Sequence, residues 1–218
     1  MTNKELQKKR ILMYFIEAAQ NIMENEGIEN ITLRKVADMA GYNSSTLYKY
    51  FKNLDHLISF ASIKYFKDYN LNISRCIENE NVNDEYKKYI IMWKLFCKHS
   101  FDNAQAFYQV FFNLSSDELS YITKQYYDMF PEDLGIHDSD ISLMITGESI
   151  KERNKILLNN LVDTGYIPAK DLDIINDIII SFYQNLLFLK KNTGKNSDDD
   201  ELTMKMISSI EYIIKHAK

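Results

Sequence analysis

Apolar residues recur at intervals of three and four along the N-terminal part of the chain, which is the period of amphipathic helices. The first stripe runs from Glu5 to Glu26 and stops at Gly27, a residue type that ends helices with little strain. The next stripe is short, because Thr32 is placed to cap it and Gly41 ends it after about two turns. Two helices separated by a short loop are therefore predicted.

The same period continues through the rest of the chain. Asn43 or Ser44 is placed to cap a third helix, and "KNLD" opens a long fourth helix that runs towards Arg75. Five further helices are predicted near residues 84–99, 102–127, 139–164, 171–191 and 199–216. The pattern therefore indicates about nine helices in total.

The composition favours an all-α fold. Six glycines and two prolines in 218 residues are too few for the many turns of a sandwich or a barrel. Hydrophobic residues make up 45% of the chain, which is enough to bury a core unaided. We expect a three-helix unit at the N terminus, followed by a larger helical bundle.

The cysteines and the hydropathy of the chain indicate in which cellular compartment the protein is located. Cys76 and Cys97 have neither the number nor the spacing of a disulfide framework or a zinc site, which indicates reduced, mostly buried thiols. The N-terminal "MTNKELQKKR" has no apolar signal core, and the most apolar run, residues 174–189, is too short and too interrupted to span a bilayer. The sequence predicts a cytoplasmic protein with no membrane association.

The net charge of -5 is unevenly distributed. Residues 1–70 hold ten Lys and Arg against eight Asp and Glu, which leaves sixteen against twenty-three for the remainder. Any basic surface for nucleic acid is therefore expected near the N terminus.

The stretch "TLRKVADMAGYNSSTLYKYF", residues 32–51, has the organisation of a helix-turn-helix, in which the second helix lies in the major groove of DNA. Ala37 allows the helices to approach closely, Gly41 can take the positive φ of the turn, and Leu47 faces inward. The outward positions carry hydrogen-bonding side chains, as contacts to bases and phosphates require. Periodicity alone leaves open an ordinary helical hairpin with a hydrated polar face.

The segment "ITLRKVADMAGYNSSTLYKYFKNLDHL" resembles the DNA-binding domain of the TetR/AcrR (tetracycline-repressor) family of bacterial transcriptional regulators. The matching positions follow in order and without a gap: Thr32, Val36, Ala37, Ala40, Gly41, Thr46, Leu47, Tyr48, Tyr50, Phe51 and Leu57. The resemblance implies a set of DNA-contacting residues: Thr32, Arg34, Asn43, Ser44, Ser45, Thr46, Tyr48, Lys49, Tyr50 and Lys52.

The resemblance also implies two domains with different functions. Residues 1–53 would form the helix-turn-helix domain, and residues 54–218 a bundle for ligand binding and dimerisation. The function implied is that of a ligand-responsive repressor, acting as a homodimer on a palindromic double-stranded DNA operator. No cofactor and no metal are expected.

One position departs from the family pattern. Leu54 stands where the family usually has a lysine, whose charge meets phosphate together with the N terminus of the fourth helix. Lys52, two residues earlier, is placed to replace that charge. The alternative function is a helical ligand-sensing or protein-interaction module whose DNA-reading face is degenerate.

Aromatic residues are dense after Arg75, and at helical spacing they are typical of a packed core. The resemblance implies an effector cavity in this region, lined by apolar or aromatic groups that suit an apolar or aromatic small molecule. The candidate lining residues are Trp93, Phe96, Phe107, Phe111, Met144 and Glu148. A hydrated or ion-paired Glu148 is the alternative for the last of these.

Residues 174–189 are apolar on nearly all sides of the predicted helix, which requires burial on more than one face. A second copy of this helix and of helix 199–216 would complete a four-helix interface. The candidate interface residues are Ile178, Phe182, Leu186, Leu189, Met206, Ile210 and Ile213. A monomer with a thick core is the alternative.

Signals for an enzyme are weak. The sequence has no phosphate-binding glycine loop, nucleophile elbow or zinc spacing, and its four histidines are scattered along the chain. A regulator is therefore favoured over an enzyme, for which only a site assembled from distant helices remains.

Overall fold

The computed structural model of the chain describes residues 2–79, 82–193 and 198–217. Helices connected by turns make up these ranges, and they contain no strand, so the all-α prediction is confirmed. By the density of its internal packing the chain divides into two compact units, Met1–Lys64 and Tyr65–Lys218.

The first unit is built from four helices: α1 (Asn3–Glu26), α2 (Leu33–Met39), α3 (Ser44–Leu47) and α4 (Leu54–Lys64). Helix α1 packs against α2 and α4, and α2 packs against α3. Their apolar faces meet in a core whose central side chains are almost fully buried: Phe15, Ile22, Val36, Leu47, Phe51 and Leu57. The shorter helices are thus held by tertiary packing, which short helices require for stability.

Helix α4 is shorter than predicted. The expected long fourth helix is interrupted at Tyr65, and a new helix begins at Phe66. Helix α4 packs against α1, where the Gln20 side chain donates to the Ala61 carbonyl at 3.2 Å, and it lies within the first compact unit.

The second unit contains eight α-helices in its described part: α5 (Phe66–Asn79), α6 (Glu85–Asp102), α7 (Ala104–Tyr108), α8 (Ser116–Met129), α9 (Ser139–Thr146), α10 (Ile150–Asp163), α11 (Leu172–Thr193) and α12 (Asp199–His216). Helix α6 packs against α5 and α12, and α10 packs against α9 and α11. Helix α11 also contacts α7 and α12. The bundle therefore closes around α6, α10 and α11.

Two predicted helices are each divided in two. The expected helix 102–127 becomes α7, a single π-helical turn and α8, because Ser115 caps α8 in a capping box with Glu118. The expected helix 139–164 is broken between α9 and α10, where Gly147 ends one helix and the Ser149 side chain caps the next. The ends of α11 and α12 fall within two residues of the predicted ones.

Helix α11 and the turn before it form a 25-residue segment, Ala169–Thr193, that is long and apolar enough to cross a membrane. The expectation that this region is too short and too interrupted was therefore wrong on length and composition. The core helix of a globular bundle meets the same criteria, and α11 packs against α7, α10 and α12.

Candidate functional site

The turn between α2 and α3 has the backbone geometry that its sequence predicts. Gly41 has a φ of +76°, and the Tyr42 amide donates to the Ala37 carbonyl at 2.9 Å while the Gly41 amide donates to the Asp38 carbonyl at 3.2 Å. These two bonds form a Schellman motif, which satisfies the carbonyls at the end of α2. Ala37 and Leu47 are fully buried on either side of the turn. The predicted roles of Ala37, Gly41 and Leu47 in the turn are thus confirmed.

A matched pair of glycines tests the role of this turn. Gly165 ends α10 in the same motif, also with a φ of +76°, and a Cβ at either glycine would meet no atom within 4 Å. Because alanine is disfavoured at positive φ, we expect Gly41→Ala and Gly165→Ala each to lower the free energy of unfolding by about 1 kcal/mol. Only Gly41→Ala should also weaken DNA binding, as measured by fluorescence anisotropy of a labelled duplex. Equal DNA affinities of the two variants would contradict this role.

Helix α3 begins at a side-chain cap. The Asn43 carboxamide oxygen accepts from the Thr46 amide at 3.0 Å and from the Thr46 hydroxyl at 3.1 Å, and it also accepts from the Ser45 hydroxyl. Asn43 is therefore the N-cap, as one of the two predicted alternatives had it. The cap fixes the hydroxyls of Ser45 and Thr46 at the start of α3.

The predicted DNA-binding residues lie together around α2 and α3, and most are accessible. Seven are exposed: Thr32, Arg34, Asn43, Ser45, Tyr48, Lys49 and Lys52. Three are half-buried: Ser44, Thr46 and Tyr50. Of the two tyrosines, Tyr48 is 59% exposed, whereas the Tyr50 ring packs against Phe15 with 6.2 Å between centroids. We call the ten residues together the α2–α3 surface.

The start of α4 lies beside this surface. The Asn53 side chain caps the helix by accepting from the His56 amide at 2.8 Å, and the Lys52 amide donates to His56 Nδ1 at 3.2 Å. Leu54, the first residue of α4, is half-buried, and the nearest cationic side chain in sequence is the exposed Lys52. That Lys52 supplies positive charge at this helix end stays a prediction.

A cavity of about 40 Å³ lies within the second unit, between α5, α6, α9 and α10. Four of the six candidate lining residues line it: Trp93, Phe96, Phe111 and Met144. Phe107 is fully buried and packs against Phe96 and Phe111 beside the cavity. Glu148 is exposed in the break between α9 and α10 and does not line the cavity.

Sequence reasoning missed the polar residues of the cavity wall, among them Arg153 and Asn154 on α10. Both are buried, and both lie on the apolar stripe of α10 that includes Ile150, Leu157 and Leu161. A charged or polar residue on an apolar helical stripe is unusual, and this signal could have identified them.

Asn154 joins three helices through hydrogen bonds. Its carboxamide oxygen accepts from the Tyr89 hydroxyl at 2.9 Å and from the Trp93 indole at 3.1 Å, both on α6. Its nitrogen donates to the side-chain oxygen of Asn176 on α11 at 2.9 Å. Because all four side chains are buried, this network fixes α10 relative to α6 and α11.

Arg153 is a buried cation. Its Nε donates to the Gly147 carbonyl at 3.0 Å, and its guanidinium lies 5.1 Å from the ring centroid of Phe111. Desolvation by burial lowers the pKa of Arg153 to about 10, which leaves the guanidinium charged at neutral pH. The same burial raises the pKa of the Tyr69 hydroxyl nearby, so Tyr69 stays neutral.

The candidate dimer residues divide between the surface and the interior. Four are accessible or half-buried: Ile178, Phe182, Leu189 and Ile213. Three are buried inside the bundle: Leu186, Met206 and Ile210. Helix α12 packs against α6 as well as α11, so part of its apolar surface is covered within the chain itself. We call the accessible side of these two helices, including Tyr212 at 66% exposure, the α11–α12 face.

Within the described ranges, no group of three or more His, Cys, Asp or Glu is placed to hold a metal ion. The functional features of the described residues are thus a compact three-helix motif with a polar surface, an apolar cavity with one cation, and an apolar helical face. The motif defines the helix-turn-helix class of DNA-binding proteins.

Comparisons with known proteins narrow this class. Residues 15–59 match the family model described as "Bacterial regulatory proteins, tetR family". The HTH-type transcriptional regulator SAR2658 of Staphylococcus aureus (strain MRSA252) is 27% identical over 131 residues, which cover 56% of this chain and 68% of that protein. These matches identify the N-terminal region as a TetR-family DNA-binding domain and support a transcriptional regulator of the TetR type.

Solved structures share the fold along nearly the whole chain. FadR of Thermus thermophilus, a TetR-family transcriptional repressor solved with lauroyl-CoA, superimposes with a TM-score of 0.60 at 10% identity, over 94% of each chain. RolR, solved with resorcinol, gives a TM-score of 0.56 at 15% identity, over 97% of this chain and 95% of RolR. At these identities the likeness establishes the fold alone.

Proposed function

We propose that the protein is a ligand-responsive repressor that binds a palindromic operator as a homodimer. The observation that carries this proposal is the family match at residues 15–59, which coincides with the helix-turn-helix and its exposed polar surface. In this proposal residues 1–53 read DNA, and residues 54–218 bind the effector and dimerise. The protein acts in the cytoplasm, where its operator is located.

The α2–α3 surface supplies both kinds of DNA contact. Ser45 and Lys49 are exposed polar residues at and just beyond α3, the helix that enters the major groove in this class, so they are assigned to base edges. Tyr48 is the most exposed aromatic residue of the surface and is assigned to phosphate, together with Thr32 and Arg34 at the start of α2.

The cavity in the second unit supports an effector site. FadR was solved with lauroyl-CoA and RolR with resorcinol, and this chain shares their fold. Phe66, the first residue of α5, lines the cavity and is two residues beyond Lys64, the last residue of α4. A ligand that displaces Phe66 would therefore act on the chain connection to the DNA-binding unit. Such a ligand strengthens or weakens DNA binding because it binds one of two conformations of the protein more tightly than the other.

Selection of bound duplexes from a random pool tests the proposed function. We expect a palindrome with half-sites about one helical turn apart, roughly 34–36 Å, and an affinity that falls steeply with salt. If no sequence is enriched and binding stays weak at low salt, the protein is instead a sensing or interaction module with a degenerate DNA-reading face. If a palindrome is enriched, it provides the DNA probe for all later binding measurements.

Two variants of the α2–α3 surface separate base reading from phosphate binding. Lys49→Ala should change the selected sequence at one position per half-site, because a base contact discriminates by about 1–3 kcal/mol. Tyr48→Ala should weaken binding to operator and unrelated DNA alike, because phosphates carry no sequence information. Affinities for operator and scrambled duplexes measure both effects. An equal loss on both duplexes for Lys49→Ala would remove its assignment to a base.

A further inference from the structure

The guanidinium of Arg153 is buried and has no anionic partner among the described residues. The residue is 8% exposed, and its Nη2 has no hydrogen-bond partner within the described residues. No acidic side chain of those residues forms an ion pair with it either. Buried charges in proteins are normally paired, because an unpaired charge loses its hydration without compensation.

The contacts that Arg153 does make compensate only in part. One donor, Nε, binds the Gly147 carbonyl at 3.0 Å. The guanidinium also lies over two aromatic rings, at 5.1 Å from the centroid of Phe111 and 6.0 Å from that of Phe66. Cation–π contacts hold the group in place but leave the Nη2 donor without a hydrogen-bond acceptor among the described residues.

Arg153 differs in this respect from the polar neighbours that share the cavity wall. Asn70 donates to the Tyr127 hydroxyl at 2.7 Å and to the Asp133 carbonyl at 3.1 Å. Asn154 is engaged with Tyr89, Trp93 and Asn176, as described above. These two amides therefore hold the fold together, whereas Arg153 keeps one donor for which the described part of the bundle provides no acceptor.

The other residues of the cavity wall indicate the chemistry of the rest of the ligand that would pair with Arg153. Aromatic and aliphatic side chains line the cavity, among them Trp93, Phe96, Phe111 and Met144. Such a surface favours an apolar body and offers no second charge. A planar carboxylate matches the donor geometry of a guanidinium better than a spherical anion does.

We propose that the cavity binds an organic carboxylate with an apolar body, an aromatic ring or a short aliphatic chain, whose carboxylate pairs with Arg153. This inference rests on the proposed function of the second unit as a ligand sensor. The cavity of about 40 Å³ is smaller than ligand pockets of about 300–1,000 Å³, so the ligand displaces side chains as it enters. Phe66 and Phe111 are stacked with 5.2 Å between centroids, and the guanidinium lies over both rings, so these two side chains are the ones that we expect to move.

Matched pairs of acids and amides test the proposal on the full-length protein. Isothermal titration calorimetry would compare benzoate with benzamide, phenylacetate with phenylacetamide, and hexanoate and octanoate with their amides. We expect at least one carboxylate to bind about tenfold or more tightly than its amide, because only the acid forms a charge-assisted pair. Binding of no carboxylate in the panel, or equal affinities of acids and amides, overturns the proposal.

Variants of Arg153 test whether this residue is the source of the preference for acids over amides. Arg153→Met should bind acid and amide alike, Arg153→Lys should keep part of the preference, and Arg75→Met, an exposed arginine on α5, should behave as the wild type. Arg153→Met should also have an unchanged or higher thermal midpoint without ligand, since methionine removes an unpaired buried charge. A preference for acids that survives in Arg153→Met overturns the proposal, and so does a large loss of thermal stability in that variant.

The same experiments separate this inference from the function on which it rests. Enrichment of an operator together with no carboxylate binding rejects the ligand class and leaves the repressor intact. Carboxylate binding at Arg153 without any selected DNA leaves the ligand site and rejects the repressor. A shift of operator affinity on addition of the carboxylate supports both.

Discussion

Ile178→Asp is expected to dissociate the proposed dimer into monomers and, with it, to abolish binding to a two-half-site operator. Ile178 is 46% exposed on the α11–α12 face, so an aspartate there is hydrated in a free chain and leaves the fold intact. In a two-fold dimer the substitution occurs in both copies at the same interface, and unpaired charges would be buried there. A loss of about 4 kcal/mol corresponds to a dissociation constant about a thousandfold higher. Sedimentation equilibrium measures the change.

The control for this prediction is the same substitution elsewhere on the surface. Ile136 is 96% exposed in the segment before α9, away from α11 and α12 in sequence, so Ile136→Asp should leave both the dimer and operator binding unchanged. If Ile178→Asp sediments as the wild type does, the α11–α12 face is not the dimer interface. If both variants dissociate, the effect comes from charge alone and not from the position.

Asn154→Leu is expected to have the largest effect on stability. Leucine fits the space, but it leaves the Tyr89 hydroxyl, the Trp93 indole N–H and the Asn176 carboxamide oxygen without their partner. Each unsatisfied buried polar group costs about 1–3 kcal/mol, and the three together should lower the free energy of unfolding by about 3–5 kcal/mol. Urea unfolding followed by far-ultraviolet circular dichroism measures this loss.

Asn159→Leu on the same helix is the matched control. Asn159 is exposed, so its replacement should change the free energy of unfolding by less than about 0.5 kcal/mol. A similar small effect of Asn154→Leu would mean that the three polar groups find other partners, and the network would then not be what fixes α10. A large loss of stability in both variants would mean that leucine destabilises α10 at any position, and the loss could not be assigned to the hydrogen bonds of Asn154.

The first unit was predictable because its signals are local. Gly41 was identified by the positive φ that a helix-turn-helix requires, and Asn43 by its place before a helix, and neither depends on a distant partner. The breaks before α8 and α10 also carried local signals, since Ser115 and Ser149 each precede a Glu by three residues. The continuous apolar period across these breaks nevertheless predicts unbroken helices.

The second unit was less predictable, because its candidate sites depend on which apolar side of a helix is covered. Periodicity marks Ile178 and Ile210 alike, yet Ile178 is exposed and Ile210 fully buried, and the difference comes from the helices packed around them. The sequence predicts the aromatic residues of the cavity wall. It does not predict Arg153, on which the proposed preference for a carboxylate depends. That residue was visible in the sequence only as a charge on an apolar stripe.

Trp93 is the only tryptophan of the chain, and it lies in the cavity wall with its indole N–H bonded to Asn154. Its ring meets Phe96 and Tyr183 edge to face, at 5.6 and 5.5 Å between centroids. The protein therefore carries its own fluorophore at the place where an effector would arrive. Emission from this one indole would report occupancy of the cavity in real time, without a label, and would give the rate of ligand entry separately from the rate at which DNA is released.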